Sequence, residues 1–390
     1  MSARAYTRRL VAAVAILSTS ARARAQTGGF VATLGADTVH VEQFRRTGNV
    51  IRGTIVTRTP TTRVVRYTYT LDGVRLARYD VTTTDGAGNP LGIQGSAGSM
   101  AFAGDTIVRA SLRAGRMDTS RIAAPFGAVP APSIPYVGVS YLSYELGFAA
   151  LRARVGDSLL YQLTMLPGQT APSRTRAWLV GADSAELSYF GVARSGYRFD
   201  DAGRLLRADW TGTTYRYRVR RTDSIDVDTI ARRWSEADAR GQGMGPMSPR
   251  DTTRARVGAI DITVDYSRPA RRGRVVWGEV VPWDVVWRLG ADAATQLTTS
   301  AALRVGDVEL PAGTYTLWML PSRKGESKLI INTQTKIFGT QYNPKFDLYR
   351  VSLTRDEVVA STERLTITVV DGALRIVWGD LSWSVRVAPA

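Results

Sequence analysis

Nucleophilic catalysis needs a base beside the nucleophile. In a 390-residue chain with one histidine and no cysteine, that base would have to be His40. His40 stands in DTVHVEQF (residues 37–44), where residue types alternate as on a strand. A lone histidine there is expected to be structural or at the surface. The absence of cysteine removes thiol catalysis and thiolate metal sites. Oxygen-ligand sites for calcium or magnesium are left, and DSIDVDT (residues 223–229) gathers Asp223, Asp226 and Asp228. It lacks the glycine and terminal glutamate of a calcium loop. It reads as a solvated strand edge with Asp226 and Asp228 on one face. Glycoside cleavage would need two carboxylates within about 5–10 Å. Glu279, Asp284 and Asp292 are near one another in sequence, but spacing along loops does not fix that distance. GQGMGP (residues 241–246) is no phosphate loop, because the following Lys-Ser/Thr is missing. No catalytic residue, metal or cofactor is expected.

The densest chemistry lies in residues 266–295, YSRPARRGRVVWGEVVPWDVVWRLGADAAT. Trp277, Trp283 and Trp287 are six and four residues apart, so strands would put them on one face, with Pro282 as a bend. They form either the large-ring core of a β-domain or a stacking platform for sugar or peptide. Arg268 precedes Pro269 and is therefore extended. Arg288 sits between Trp287 and Leu289, where its five donors must be satisfied. Either it pairs with Asp265, Asp284 or Asp292, or it faces a ligand carboxylate or phosphate. The stretch reads mainly as architecture, with an anion- or sugar-binding groove along Arg268, Arg288 and Asp292 as the functional alternative.

The elements that position these residues are strands. Residues 26–240 alternate through RVVRYTYTL, Asp72-Gly73 and VRLARYDVTT, a hairpin signal, and again through AELSYFGV and FDDAGRLLRADW–TYRYRVRRTD. One helix is predicted over residues 141–152 and a second near Trp234. The proline-rich residues 125–138 read as a loop crossing and 241–256 as a linker. Residues 257–390 carry seven or eight short strands with frequent turns, including Asp371-Gly372, the pattern of a β-sandwich. The fold expected is all-β and mainly antiparallel: an N-terminal curved sheet with one or two helices, then a C-terminal β-sandwich.

Residues 1–25 read as a secretory signal: Arg4, Arg8 and Arg9, a short apolar run, then Ala23-Arg24-Ala25 before a cut at Gln26. No later apolar run is long enough to span a bilayer, so the mature chain is expected to be periplasmic or extracellular, without a transmembrane span. The net charge of +17 includes five arginines in those 25 residues and no acid, which leaves +12. Almost all of it is arginine, as a GC-rich genome would favour; it reads as a solvated surface, with anionic lipid or polysaccharide as conceivable partners. Nucleic acid is not an expected partner, since no recognition motif is present.

The second block resembles the bacterial family known as domain of unknown function 2911. The matching pieces are Tyr266-Ser267-Arg268-Pro269, Gly273-Arg274, Trp277-Gly278, Val281-Pro282-Trp283 and Val286-Trp287-Arg288. Gly290-Ala291, Ala294-Thr295, Leu310-Pro311-Ala312-Gly313 with Tyr315, and Tyr342-Asn343-Pro344 with Asp347 follow in order. Asp292, Asp284 and Lys328 depart from the residues expected there. The resemblance implies an exported β-domain of unsettled activity. The ligand-binding residues expected are Arg268, Trp283, Arg288, Asp292, Thr295 and Tyr315. The function expected is a non-enzymatic envelope or secreted module for a polymer, a small ligand or a protein. A carrier of apolar ligands using the first block, or a metal-independent carboxylate hydrolase, are the alternatives.

Overall fold

The computed structural model describes residues 25–91, 96–123, 129–134, 138–153, 159–164, 173–189, 193–213 and 215–390. Of the expected signal segment, residues 1–25, all but Ala25 lie outside them. The described chain forms two open, mainly antiparallel sheets and two α-helices. Neither helix is long and apolar enough to cross a membrane.

The first sheet has sixteen strands. Eight follow one another as a meander from Gln26–Leu34 to Arg116–Ala123. The chain then passes through helix α1 (Tyr141–Arg152) and returns from the other edge, until Arg218–Thr222 pairs antiparallel with Gln26–Leu34. The hairpin expected around Asp72-Gly73 joins Arg63–Asp72 to Arg75–Asp85, and Gly73 takes the φ of +60° that the turn demands.

Helix α1 occupies the predicted residues. Ser140 caps it, accepting from Ser143 N–H at 3.3 Å. Its Tyr141, Leu142, Tyr144, Phe148 and Leu151 are all buried, because one face of the curved sheet encloses it. The second helix, α2 (Val227–Ala239), is longer than expected. Val227, Ala231 and Trp234 recur at helical spacing and pack on Val31, Val41, Val56 and Val64 of the opposite sheet face. Its cap is Asp226, which accepts from Thr229 N–H at 2.9 Å. The strand edge expected over residues 223–229 is therefore a helix start: an aspartate three residues before an amide donor gains more there than in a ladder.

Two more expectations are corrected. Within the expected loop crossing, Val129–Ile134 forms a strand beside Leu159–Thr164 and Gly138–Val139. Proline survives there because the pair lies at the sheet's edge. Within the expected linker, Arg250–Val257 is a strand paired with Ile260–Ser267, and Met244 and Met247 pack on the first core. Thr59 Oγ1 donates to the Gly245 carbonyl at 2.8 Å. The polar composition hid two apolar anchors.

The second sheet has nine strands and folds over its own core. Asp347–Val370 pairs with Ser327–Asn332 along its first half, bends at register shifts, and crosses the opening strands with its second half. There Tyr266 Oη accepts from Ile367 N–H at 3.1 Å. Ile262, Val264, Leu317, Ile331, Ile376, Trp378 and Trp383 fill the interior, as in a sandwich.

Candidate functional site

Residues 268–294 leave the second sheet after Ile260–Ser267 and rejoin it at Thr295–Thr299 without forming a strand. The tryptophans thus do not share a strand face as expected. They still converge. Trp277 lies 6.1 Å from Trp283, 5.7 Å from Trp287 and 4.0 Å from Trp383, centroid to centroid. Trp277 Nε1 donates to the Trp378 carbonyl at 2.8 Å and Trp287 Nε1 to the Gly290 carbonyl at 3.2 Å. Trp283 is half-buried on this cluster, with the Arg355 guanidinium 5.9 Å above its ring. Rings with satisfied N–H groups hold a long loop to the core, so the segment keeps one shape without a ladder.

Three of the expected ligand residues also tie backbone. Arg268 donates to the Leu365 carbonyl, Asp251 and Thr366 at 2.9–3.0 Å. Thr295 is fully buried and donates to the Leu289 carbonyl at 2.7 Å. Tyr315 donates to the Pro311 carbonyl at 3.0 Å. These contacts occupy the polar atoms that a ligand would need.

Arg288 and Asp292 differ. Arg288 is half-buried, with its stem packed against Gly339, where an added Cβ would meet its Cδ at 2.0 Å. Asp265, one acid considered for it, pairs instead with Arg250. Among the described residues the Arg288 guanidinium has no carboxylate within ion-pair distance. Burial holds it below the usual guanidinium value, and the charge of Asp292 offsets this only in part. Asp292 is exposed, and its charge also reaches Tyr215, whose hydroxyl burial has already pushed up.

Tyr215 belongs to the first block, and this is where the two blocks meet. Arg216, between Leu205–Asp209 and Arg218–Thr222, is lowered by burial and then by the Arg288 charge. Arg274 is lowered to about 10 by burial, then by Arg216 and Arg272, with Glu363 opposing. Arg274 spends two donors on the Arg271 and Ala270 carbonyls, at 2.9 and 2.6 Å. Arg272 fastens the seam: it pairs with Asp37 at 2.6 Å, and its carbonyl accepts from Ala36 N–H at 3.0 Å. Gly35 turns there at φ +60°, and a Cβ would stand 2.0 Å from the Arg272 oxygen.

Four guanidiniums thus line one seam, and among the described residues only Arg272 is held in an ion pair. The backbone is also costly here. Arg216, Arg272, Asp284, Leu289 and Asp292 all adopt φ between 52° and 61°, a region that non-glycine residues avoid. Such a concentration of like charge and strained backbone is what a preorganised anion site requires. Sequence reasoning found Arg288 and Asp292 but missed Arg216 and Tyr215, which lie over 70 residues away in the other block. Arg272 and Arg274 flank the quoted Gly273 and carried no separate signal.

A second polar cluster is closed to solvent. Glu42 is fully buried and accepts from Tyr67 Oη at 2.6 Å, Ser140 Oγ at 2.6 Å and Tyr141 N–H at 2.7 Å. Burial raises it to about 7 against those hydrogen bonds. His40 beside it is 3% exposed, edge-on to Tyr141 at 4.9 Å, and lowered to about 3 by burial. This cluster fastens the start of α1. Among the described residues no group of three or more acids or histidines is arranged to hold a metal.

Residues 248–387 match the family model described as a protein of unknown function, DUF2911. The N-terminal block matches no family model. No curated protein matches the chain. A solved structure, the beta-barrel-like protein of domain of unknown function DUF1849 from Brucella abortus, is 11% identical over 51% of this chain and 94% of its own. Its TM-score of 0.30 is too low for the likeness to inform fold or function.

Proposed function

We propose that the protein is an exported, non-enzymatic module of the envelope or the surroundings of the cell. Its seam of Arg216, Arg274 and Arg288, with Asp292 at the rim, takes a compact anionic group of a small ligand, an envelope polymer or a protein. The carrying observation is Arg288, half-buried with no carboxylate in ion-pair range among the described residues. A structural arginine in that setting would be paired, since an uncompensated buried charge is costly. Export rests on the basic, apolar and small-residue pattern of residues 1–25.

The two alternatives have less support. An apolar carrier needs space between sheet and α1. Among the described residues Tyr144, Phe148, Tyr197 and Trp210 pack there at ring distances of 4.9–5.7 Å. A carboxylate hydrolase using Glu279, Asp284 and Asp292 needs desolvated acids, and all three are exposed.

The test is thermal unfolding of the mature chain with phosphate, citrate, glucose 6-phosphate, galacturonate and neutral glucose. An anion at about 100 times its dissociation constant should stabilise by about 2.7 kcal/mol. Arg288→Gln and Arg216→Gln should abolish that shift while unfolding no earlier than the unliganded parent, because each relieves like-charge repulsion. The reading is lost if no anion shifts the midpoint and Arg288→Gln unfolds far below the parent.

A further inference from the structure

The sheet face that carries α2 continues beyond the helix as an open groove of about 830 Å³. Its floor is set by register. Thr27, Arg45, Arg52, Thr68, Asp80 and Ser99 stand opposite one another across six adjacent strands. The neighbouring row places Arg66 between Thr54 and Thr82. Five strand spacings make this line roughly 24 Å long.

Asp80 is bound by Arg78 through two bonds of 2.6 and 2.9 Å. That leaves Arg45, Arg52 and Arg66, all exposed and, among the described residues, in no ion pair. Arg45 and Arg52 face each other directly in the ladder. Directly opposed like charges weaken a sheet, and a solvated surface would gain from an acid at either place. The chain keeps the repulsion in the floor of a concavity, with Thr68 opposite Arg52 and Thr54 opposite Arg66.

We propose that this groove binds an extended anionic glycan, with its acidic groups on Arg45, Arg52 and Arg66 and its hydroxyls on the threonine and serine rows. The occupant is chosen by what the groove lacks. Its rings, Phe44 and Tyr67, are only 4% and 3% exposed, so bases have no stacking platform. These strands are interior to the sheet, with ladder partners on both sides, so a peptide cannot add as a strand. An acyl chain would have to desolvate Arg45, Arg52 and Arg66, which stand in the lining. The site is separate from the seam and stands or falls without it.

The experiment measures binding of the mature chain to polygalacturonate, with dextran, poly-glutamate and single-stranded DNA as comparisons. Binding at roughly 150 mM salt should favour polygalacturonate over all three. The Arg45→Ser/Arg52→Ser double variant should weaken it roughly tenfold and reduce the salt slope by about two. Arg375→Ser, at an exposed arginine of the second sheet, should leave it unchanged. If the double variant does not give the parent's circular dichroism, Arg66→Ser decides, with a weakening of at least about threefold expected. Equal binding to poly-glutamate or DNA, no binding to polygalacturonate, or unchanged affinity in the folded variants each overturns the proposal.

Discussion

Replacing Glu42 by glutamine removes one of two buried titrating groups whose effects on stability oppose each other. Glu42 is raised from 4.5 to about 7, so the folded state holds a proton that the unfolded chain has released. Its contribution is complete below about 4.5 and is lost as pH rises through about 7. His40 is lowered from 6.5 to about 3, so its contribution is complete above about 6.5 and is lost as pH falls through about 3. Between pH 4.5 and 6.5 the folded state gains one proton at Glu42 and forgoes one at His40, and the slopes cancel. In Glu42→Gln only His40 remains, and stability rises by about 1.4 kcal/mol per pH unit relative to the parent. Because the unfolded Glu42 is half titrated at the lower end and the folded one begins to titrate at the upper, the gap between variant and parent should change by about 2 kcal/mol across those two units. The lost acceptor for Tyr141 N–H adds an offset that does not vary with pH. Urea unfolding of both proteins at half-unit steps, followed by circular dichroism, measures the gap directly, and other carboxylates drop out of the difference. A gap that is constant with pH would refute the reasoning, because it would mean that Glu42 is ionised in the fold throughout.

Three further outcomes follow from single contacts. Gly35→Ala and Gly73→Ala both place alanine at φ +60°, but only the first drives a Cβ to 2.0 Å from a carbonyl oxygen. Gly35→Ala should therefore cost at least about 1 kcal/mol more in thermal unfolding, and equal losses would mean that the Arg272 contact does not hold the seam. Trp277→Ala should cost about 3–5 kcal/mol in denaturant and Trp277→Phe much less, since the ring contacts remain; similar losses would assign the stability to the Nε1–Trp378 bond. Asp226→Ala should lower the thermal midpoint and Asp226→Ser should keep it, because serine caps equally well; no difference would mean that α2 needs no cap.

The sequence alone carried the fold class, because period-two alternation and turn dipeptides are local. The hairpin at Asp72-Gly73 and the α1 segment needed nothing distant to be read. It also located Arg288 as an arginine in need of a partner. It misread residues 223–229 and 250–256, where short polar stretches are compatible with strand, helix start or linker, and only packing chooses. Val227, Ala231 and Trp234 become a face once Val41 and Val56 lie beneath them. The tertiary structure alone joined Arg216 to Arg288, with neither in an ion pair among the described residues, and it alone set Arg45 opposite Arg52. Charge neighbours across a seam or a ladder are fixed by register and docking, and neither leaves a periodic trace in the chain.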